Sequence, residues 1–360
     1  MRSYVHQCSL DLQRELPAKV VAGIGYIGAR AERLGVGGTS SATVNINQLD
    51  PRYQALGSAL LDPVPNPFFG DPRFGAFSTT PTISRGQLLR PYPQFGDLLA
   101  HQVSAGKTRY HSVVLRLERR IADGWGGRIN YTWSSNRDNL FGEGNAFSSG
   151  AREALDNYDL EAEFSDSILH APHRLNVAGT VELPFGKGKS RLSKPGLART
   201  LFGGWSITVV GFYQSGFPVT VTQSPNNSGL LGSSQRPNLT GIDPATPGST
   251  ERHYDPSCGC IANWFDADAW TQAPAFSFGN APRTDTRRRT PFKTQTDVAF
   301  QKVQSLGGDR ALMVRFELIN ILNNAQFNAP NTSFGSSGFG RITGTRGFPR
   351  LLQLVVRFAF

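Results

Sequence analysis

The stretch that decides the fold is Tyr110–Ser134, YHSVVLRLERRIADGWGGRINYTWS. In its first half Val113, Leu115 and Leu117 fall on one side of an extended chain, while Ser112, Val114, Arg116, Glu118 and Arg120 fall on the other. In its second half Ile129, Tyr131 and Trp133 oppose Arg128, Asn130 and Thr132. Successive side chains of a strand point to opposite faces, so this period of two marks two strands, each with an apolar and a polar surface. Only Ala122–Trp125, ADGW, separates them, which is a short connection.

The same period recurs on both sides of this pair. RLNVAGTVEL sets Leu175, Val177, Val181 and Leu183 against Arg174, Asn176, Thr180 and Glu182, and LMVRFELIN sets Leu312, Val314, Phe316 and Leu318 against Met313, Arg315 and Glu317. The final residues, RLLQLVVRFAF, place Leu352, Leu354, Val356, Phe358 and Phe360 on one side and Gln353, Val355, Arg357 and Ala359 on the other. An unanchored terminus gains nothing from order, so a chain that finishes inside a strand pattern expects a partner there. With YVHQCSLDLQREL, KVVAGIGYIGA, WSITVVGFYQSGFPVTV and TQTDVAFQKVQ the count comes to about nine or ten strands. Several are at least as long as the roughly 9 to 11 residues a tilted strand needs to cross a bilayer, whereas soluble strands average only about 5 or 6. Length and alternation together point to an all-β, antiparallel barrel wall with one face in lipid.

Connection lengths sharpen that expectation. Leu16–Ala18, ADGW and Gly307–Asp309 are short, and PFGKGKSRLSKPGLARTLFGG is of medium length; the stretches from Arg30 to Arg109, Arg137 to His173, Gln223 to Lys293 and Asn323 to Arg350 are long. Compact soluble domains rarely carry structureless loops beyond about 12 to 15 residues, whereas outer-membrane barrels combine short periplasmic turns with long external loops. Tyr131 with Trp133, Trp205, Tyr213, and Phe358 with Phe360 suit interfacial aromatic girdles. A short first turn puts Met1 on the external side, and a wall of nine strands leaves unpaired edges at the first and last strands; the chain therefore reads as an incomplete barrel.

Composition excludes less. Glycine (39) and proline (23) are plentiful, which favours turns and strands over helices. The net charge of +10 is spread along the chain apart from Arg287, Arg288 and Arg289, so no nucleic-acid partner is expected. No window approaches the roughly 18 apolar residues of a spanning helix, and Met1 is followed by Arg2, Ser3 and Tyr4 without the apolar core of a signal peptide. Cys8, Cys258 and Cys260 form no disulfide framework; the pair in SCGCI is too close for an ordinary bridge and reads as incidental loop thiols.

Several motifs tempt and fail. GIGYIG (Gly23, Gly25, Gly28) with Asp50 downstream matches a dinucleotide fingerprint, but the following ARAERLGVGG reaches more glycines before a helix can form, so small residues on a strand are the better reading. GKGKS has Leu183 where a phosphate loop needs its leading glycine. His170 and His173 lack the spacing and glutamate of a zinc hydrolase, and Asp266 and Asp268 lack the glycine and distal glutamate of a calcium loop. No catalytic constellation, metal site or cofactor motif emerges.

YVHQCSLDLQREL with VVAGIGYIGAR, the Tyr110–Ser134 stretch, PHRLNVAGTVELPFGKG, GGWSITVVGFYQSGFPVTV, RPNL, NWFDADAW, FGNAPR, FKTQTDVAFQK, RFELINILNNAQF and FGRITGTRGFPRLLQLVVRF resemble, in that order, the barrel of Oar-like TonB-dependent outer-membrane receptors of the acidobacterial type. The resemblance covers nearly the whole chain. In that family a signal sequence, often a regulatory-like domain, and a plug contacting TonB precede a barrel of about 22 strands. The resemblance therefore implies that residues 1–360 are a single partial barrel domain, its C-terminal portion, with those upstream parts absent; Cys8 departs from the usual tryptophan.

The resemblance implies a transporter for a bulky nutrient, not an enzyme, in the outer membrane of a Gram-negative bacterium. This chain would not support energised transport alone; its partners would be lipid, the barrel-assembly machinery, the rest of the receptor and, through that, TonB. Trp264, Trp270, Arg287, Arg288 and Arg289 are the loop candidates for ligand contact, and Arg116, Glu118, Arg128, Glu182, Arg315 and Glu317 are lumen-facing charges. Gln353, Phe358 and Phe360 fit the terminal barrel-assembly signal, with Val355 in place of its glycine. The alternatives are a self-contained porin-like barrel and a secreted adhesive β-protein.

Overall fold

The computed structural model describes residues 2–36, 44–141, 153–232, 234–245 and 253–360. Nine long strands form one antiparallel meander: β1 (Tyr4–Leu16), β2 (Val20–Val36), β3 (Val103–Ala122), β4 (Trp125–Asp138), β5 (His173–Glu182), β6 (Trp205–Gln214), β7 (Lys293–Gly307), β8 (Arg310–Ile319) and β9 (Leu351–Ala359). Among the described residues each pairs only with its neighbours in sequence, apart from a two-residue strand, Ser165–Asp166, that adds to the end of β4. β1 and β9 have one partner each, so the sheet is open.

Turns at one end are short for a local reason. Asp123 and Gly124 adopt φ of 54° and 84°, the left-handed pair that a two-residue hairpin needs to match strand twist, and Asp-Gly tolerates it. All four long connections leave from the opposite end.

The register turns the sequence alternation into two continuous surfaces. Leu12, Ile24, Leu115, Tyr131, Leu175 and Tyr213 lie in one row across β1 to β6. On the reverse face Gln13, Gly23, Arg116, Asn130, Asn176, Phe212 and Gln295 form the neighbouring row. The glycines of GIGYIG continue straight through β2, which removes the nucleotide reading. Gly25 leaves room for the Asp11–Arg116 ion pair that crosses above it from β1 to β3; a Cβ would lie 2.8 Å from Asp11 Oδ2 and 3.1 Å from the Arg116 guanidinium, so the pair would have to shift. Gly28 lies on the apolar face instead, beneath the Tyr26 hydroxyl.

Three expectations need correction. β2 continues to Val36 and β3 starts at Val103, so the first long connection is shorter than Arg30–Arg109 and the strand pair extends beyond bilayer length. β6 stops at Gln214; Phe217, Val219 and Val221 turn away from the wall and are buried among the loops. Cys258 and Cys260 are joined by a disulfide at the tip of a small hairpin, where the reversal brings their Cα atoms to 5.2 Å.

Most of the buried core lies outside the wall. Val219, Val221, Ile261, Trp264, Phe265, Ala269, Trp270, Ala281 and Ile342 form its main cluster, drawn from the β6–β7 and β8–β9 connections. A second cluster, Leu49, Leu60 and Leu231, joins the β2–β3 connection to β6–β7. Together the long connections make a packed cap over one end of the sheet.

Candidate functional site

The polar face of the wall carries charges that pair across strands. Asp11 pairs with Arg116 and Glu118 with Arg128 at 3.9 Å; Arg315 and Glu317 pair along β8 at 2.6 Å, and Glu182 binds Lys189 of the turn that follows β5. Arg174 Nε donates to Gln214 Oε1 at 3.0 Å. Small side chains at Gly126, Ala178, Thr180 and Thr208 leave a trough of about 530 Å³ beside Glu118 and Arg128. The Glu118–Arg128 pair beside it is more than half exposed, so it is worth about 0 to 1 kcal/mol, and the face remains wettable.

At the loop end the geometry is different. Arg283, 1% exposed, reaches from the β6–β7 connection to Asp138 at the end of β4, with its guanidinium 2.6 Å from Asp138 Oδ1. The same guanidinium donates to the carbonyls of Glu163 (3.0 Å) and Leu140 (2.9 Å). Arg236 and Glu163 form a second buried pair at 2.6 Å. Burial pushes the guanidinium pKa of Arg283 down, and Asp138 and Glu163 pull it back up. These two arginines clamp the cap to the rim of the sheet. Sequence reasoning did not single them out, although both stand in motifs quoted above, Arg236 in RPNL and Arg283 in FGNAPR.

The five loop candidates come together in this cap. Trp264 Nε1 donates to the Arg289 carbonyl at 2.9 Å, and the Arg288 guanidinium lies 4.3 Å from the Trp264 ring centroid. Trp270 packs edge-on against Phe265 and Phe339, with Arg287 5.8 Å from its ring centroid. Arg287 also pairs with Asp285 at 2.6 Å. Arg289 donates to the His170 carbonyl at 2.8 Å. Both tryptophans are 3% exposed, so packing inside the cap occupies their faces.

His170 and His173, three residues apart in sequence, are used separately. His170 contacts Asp166 at 3.3 Å within the cap, and this hydrogen bond holds the Asp166 carboxyl below its ordinary range against the opposing effect of burial. His173 starts β5 and bonds the Tyr131 hydroxyl at 2.8 Å. Asp266 caps a short turn by accepting from the Asp268 backbone N–H at 3.1 Å. Among the described residues no three His, Cys, Asp or Glu side chains converge on a possible metal position.

The apolar face ends in aromatic belts at two heights. Trp125 and Trp133 on β4, and Trp205 and Tyr213 on β6, are each eight residues apart. That is about 26 Å along a strand, or about 20 Å of height at barrel tilt, comparable with the apolar band of an outer-membrane barrel. At the loop side the Tyr26 hydroxyl bonds His111 at 2.7 Å and the Tyr213 hydroxyl bonds Thr296 at 2.7 Å, repeating the Tyr131–His173 arrangement. At the turn side the Trp125 ring covers Arg119, whose guanidinium donates to the carbonyls of Ala18, Ala122 and Trp125 and thereby ties two turns together.

Gln353 and Phe358 sit on the edge strand β9, and Phe360 follows its last residue. Gln353 opposes Glu317 on the polar face; Phe358 and Phe360 stack at 5.9 Å on the apolar side.

No helix is long and apolar enough to cross a membrane among the described residues, a statement that leaves crossing by strands untouched. No curated protein matches the chain in sequence. In structure it is similar to the outer membrane transporter YddB from Escherichia coli, with a TM-score of 0.43, 9% identity, and coverage of 98% of this chain and 32% of that one. The chain thus spans about a third of that protein's length. The family model described as outer membrane beta barrel domain matches residues 1–353. A meandering antiparallel wall with one apolar and one polar face, belted by aromatics, is what such a family requires, and this chain belongs to the outer-membrane β-barrel domain family, resident in the outer membrane.

Proposed function

We propose that the chain is the C-terminal wall of a TonB-dependent transporter of the Oar-like type, through which a bulky nutrient is taken up. The transporter type follows the ordered motifs that resemble Oar-like barrels, and the observation that carries the incomplete wall is strand direction. β1 and β9 are both single-partnered edges, and in an antiparallel meander of nine strands they run the same way, from the loop end to the turn end. Joining them directly, within one chain or between two copies, makes a parallel pair. Single-chain bacterial barrels are antiparallel throughout and have an even number of strands. An odd number of further strands removes the conflict.

On this reading the chain is a transporter part and not an enzyme, and it does not support energised transport alone. The missing strands, a plug and TonB complete the machine. Ligand capture falls to the external cap, with Trp264, Trp270 and Arg287 to Arg289 shaping its surface from within. The free edge of β9, with Gln353, Phe358 and Phe360, offers backbone donors and acceptors to the barrel-assembly machinery by strand addition.

The test reconstitutes the chain in planar bilayers and introduces cysteines in turn at Leu352, Leu354 and Val356 of β9, opposite the native Cys8 of β1. The expected outcome is no uniform conductance step and no Cys8 cross-link under oxidation. Steady ohmic steps of one size together with an intrachain cross-link identify a self-closed, porin-like barrel and overturn the proposal.

A further inference from the structure

The connection between β5 and β6, residues 184–204, lies at the short-turn end but is the longest there. It holds Lys187, Lys189, Arg191, Lys194 and Arg199 and no acidic residue. Lys189 pairs with Glu182, and Arg199 donates to the Ser193 carbonyl at 3.2 Å. Lys187, Arg191 and Lys194 are exposed. Within the segment a six-residue helix, α1 (Leu197–Phe202), leaves Leu197, Leu201 and Phe202 exposed by 76, 54 and 62%.

Two residues fix the side of the wall on which α1 sits. Trp205 of β6 and Lys302 of β7 are register partners on the apolar face. The Trp205 indole N–H donates to the Leu201 carbonyl at 3.0 Å. The Lys302 ammonium, in a residue only 8% exposed, donates to the Thr200 carbonyl and lies 3.5 Å from that of Leu201. These last-turn carbonyls have no partner inside the helix, and an ammonium on a lipid-facing strand is costly unless such groups receive it. The helix is therefore held on the lipid side of the wall, at the height of Trp205.

We infer that residues 184–204 are an interfacial anchor, which seats Leu197, Leu201 and Phe202 in the inner leaflet of the outer membrane and binds the phosphate groups of anionic phospholipids through the flanking cations. Three observations select lipid as the occupant. The exposed apolar residues continue the lipid-facing surface of β6 and β7. They lie beside a tryptophan at the turn-side belt, where such rings mark the headgroup level. The surrounding charge is of one sign and complements a phosphate-bearing surface. The inference rests on membrane residence and is independent of the transporter proposal.

The test mixes the full chain in detergent with equal phosphatidylglycerol and phosphatidylethanolamine and counts retained lipids by native mass spectrometry. Each cation near an anionic surface is worth roughly a fivefold preference, so phosphatidylglycerol is expected to be retained at least about tenfold over its zwitterionic partner. The preference should fall as salt screens it. It should vanish in a chain carrying Lys187→Gln, Lys189→Gln, Arg191→Gln, Lys194→Gln and Arg199→Gln whose chymotryptic pattern is unchanged. A chain carrying Leu197→Ser, Leu201→Ser and Phe202→Ser should lose retention of both lipids. Equal retention by the unaltered chain, a preference that survives all five glutamines, or displacement of the lipid by millimolar inorganic phosphate alone overturns the inference.

Discussion

On the wall, Leu10, Leu12, Leu352 and Phe358 stand 73, 68, 72 and 51% exposed, whereas in the cap Val219, Trp264, Phe265 and Trp270 stand at 0, 3, 4 and 3%. The same residue types obey opposite rules because they face different solvents. In the cap, apolar area leaves water and the hydrophobic effect holds the loops together. On the wall, apolar area meets lipid and gains little by hiding; what holds the strands is the backbone ladder, since hydrocarbon offers the peptide groups no alternative partner. Ion pairs differ in the same way. Arg116 and Asp11 cross the polar face with side chains 39 and 42% exposed, while Arg283 and Asp138 meet at 1 and 7%. The first pair tolerates loss; the second cannot lose one member without stranding a buried charge.

The contrast can be broken most severely at the clamp. Arg283→Met leaves Asp138 buried without its partner and should cost the cap about 3–5 kcal/mol. Protease digestion should open the loops first while the wall strands stay protected. Adding Asp138→Leu to that variant should restore much of the loss. Next in size is a charge on the wrong face. Leu117→Arg, near mid-height on the lipid side of β3, should destabilise the folded wall in lipid vesicles by about 2–4 kcal/mol as read by urea titration. The same charge introduced as Asn176→Arg on the polar face should leave the midpoint nearly unchanged.

Smaller still is the loop-side belt, where Tyr131→Phe removes one hydrogen bond to His173 and should shift the same titration by about 1 kcal/mol. The smallest effect is electrostatic and confined to the cap. Asp166 is held below its usual range by His170, so its contribution is fully present above the ordinary carboxylate pKa of about 4 and is lost as pH falls through and below that value. Protease resistance of the cap should therefore weaken on acidification below about pH 4, and Asp166→Asn should flatten that dependence.

The wall was legible because alternation is a local signal. Tyr4–Leu16 carries it from end to end, and β1 occupies the same residues. The placement of Arg116, Glu118, Arg128, Glu182, Arg315 and Glu317 on the polar face was readable from the same period. Legibility failed wherever the pattern loses its two solvents. Beyond Arg30, β2 runs on through Ala31, Glu32, Arg33, Leu34, Gly35 and Val36, past the band where one face must be apolar, and its alternation fades. The cap was harder, since its core joins Val219 to Asp285 and Ile261 to Ile342 through isolated bridges that follow no period. Arg236 and Arg283 look like surface cations in sequence; only the neighbours that burial brings from the end of β4 and the β4–β5 connection make them clamps. The Cys258–Cys260 bond was missed because close spacing in sequence argues against a bridge unless a hairpin tip reverses the chain between the two.

The central claim is that the two faces of one sheet meet two different solvents, and accessibility along β4 tests it most directly. In a Cys8→Ala background, single cysteines placed at residues 129 to 134 and exposed in the outer membrane to a membrane-impermeant maleimide should react with period two. Asn130→Cys, Thr132→Cys and Ser134→Cys should label, whereas Ile129→Cys, Tyr131→Cys and Trp133→Cys should not. Uniform labelling, or a period near that of a helix, would contradict the account.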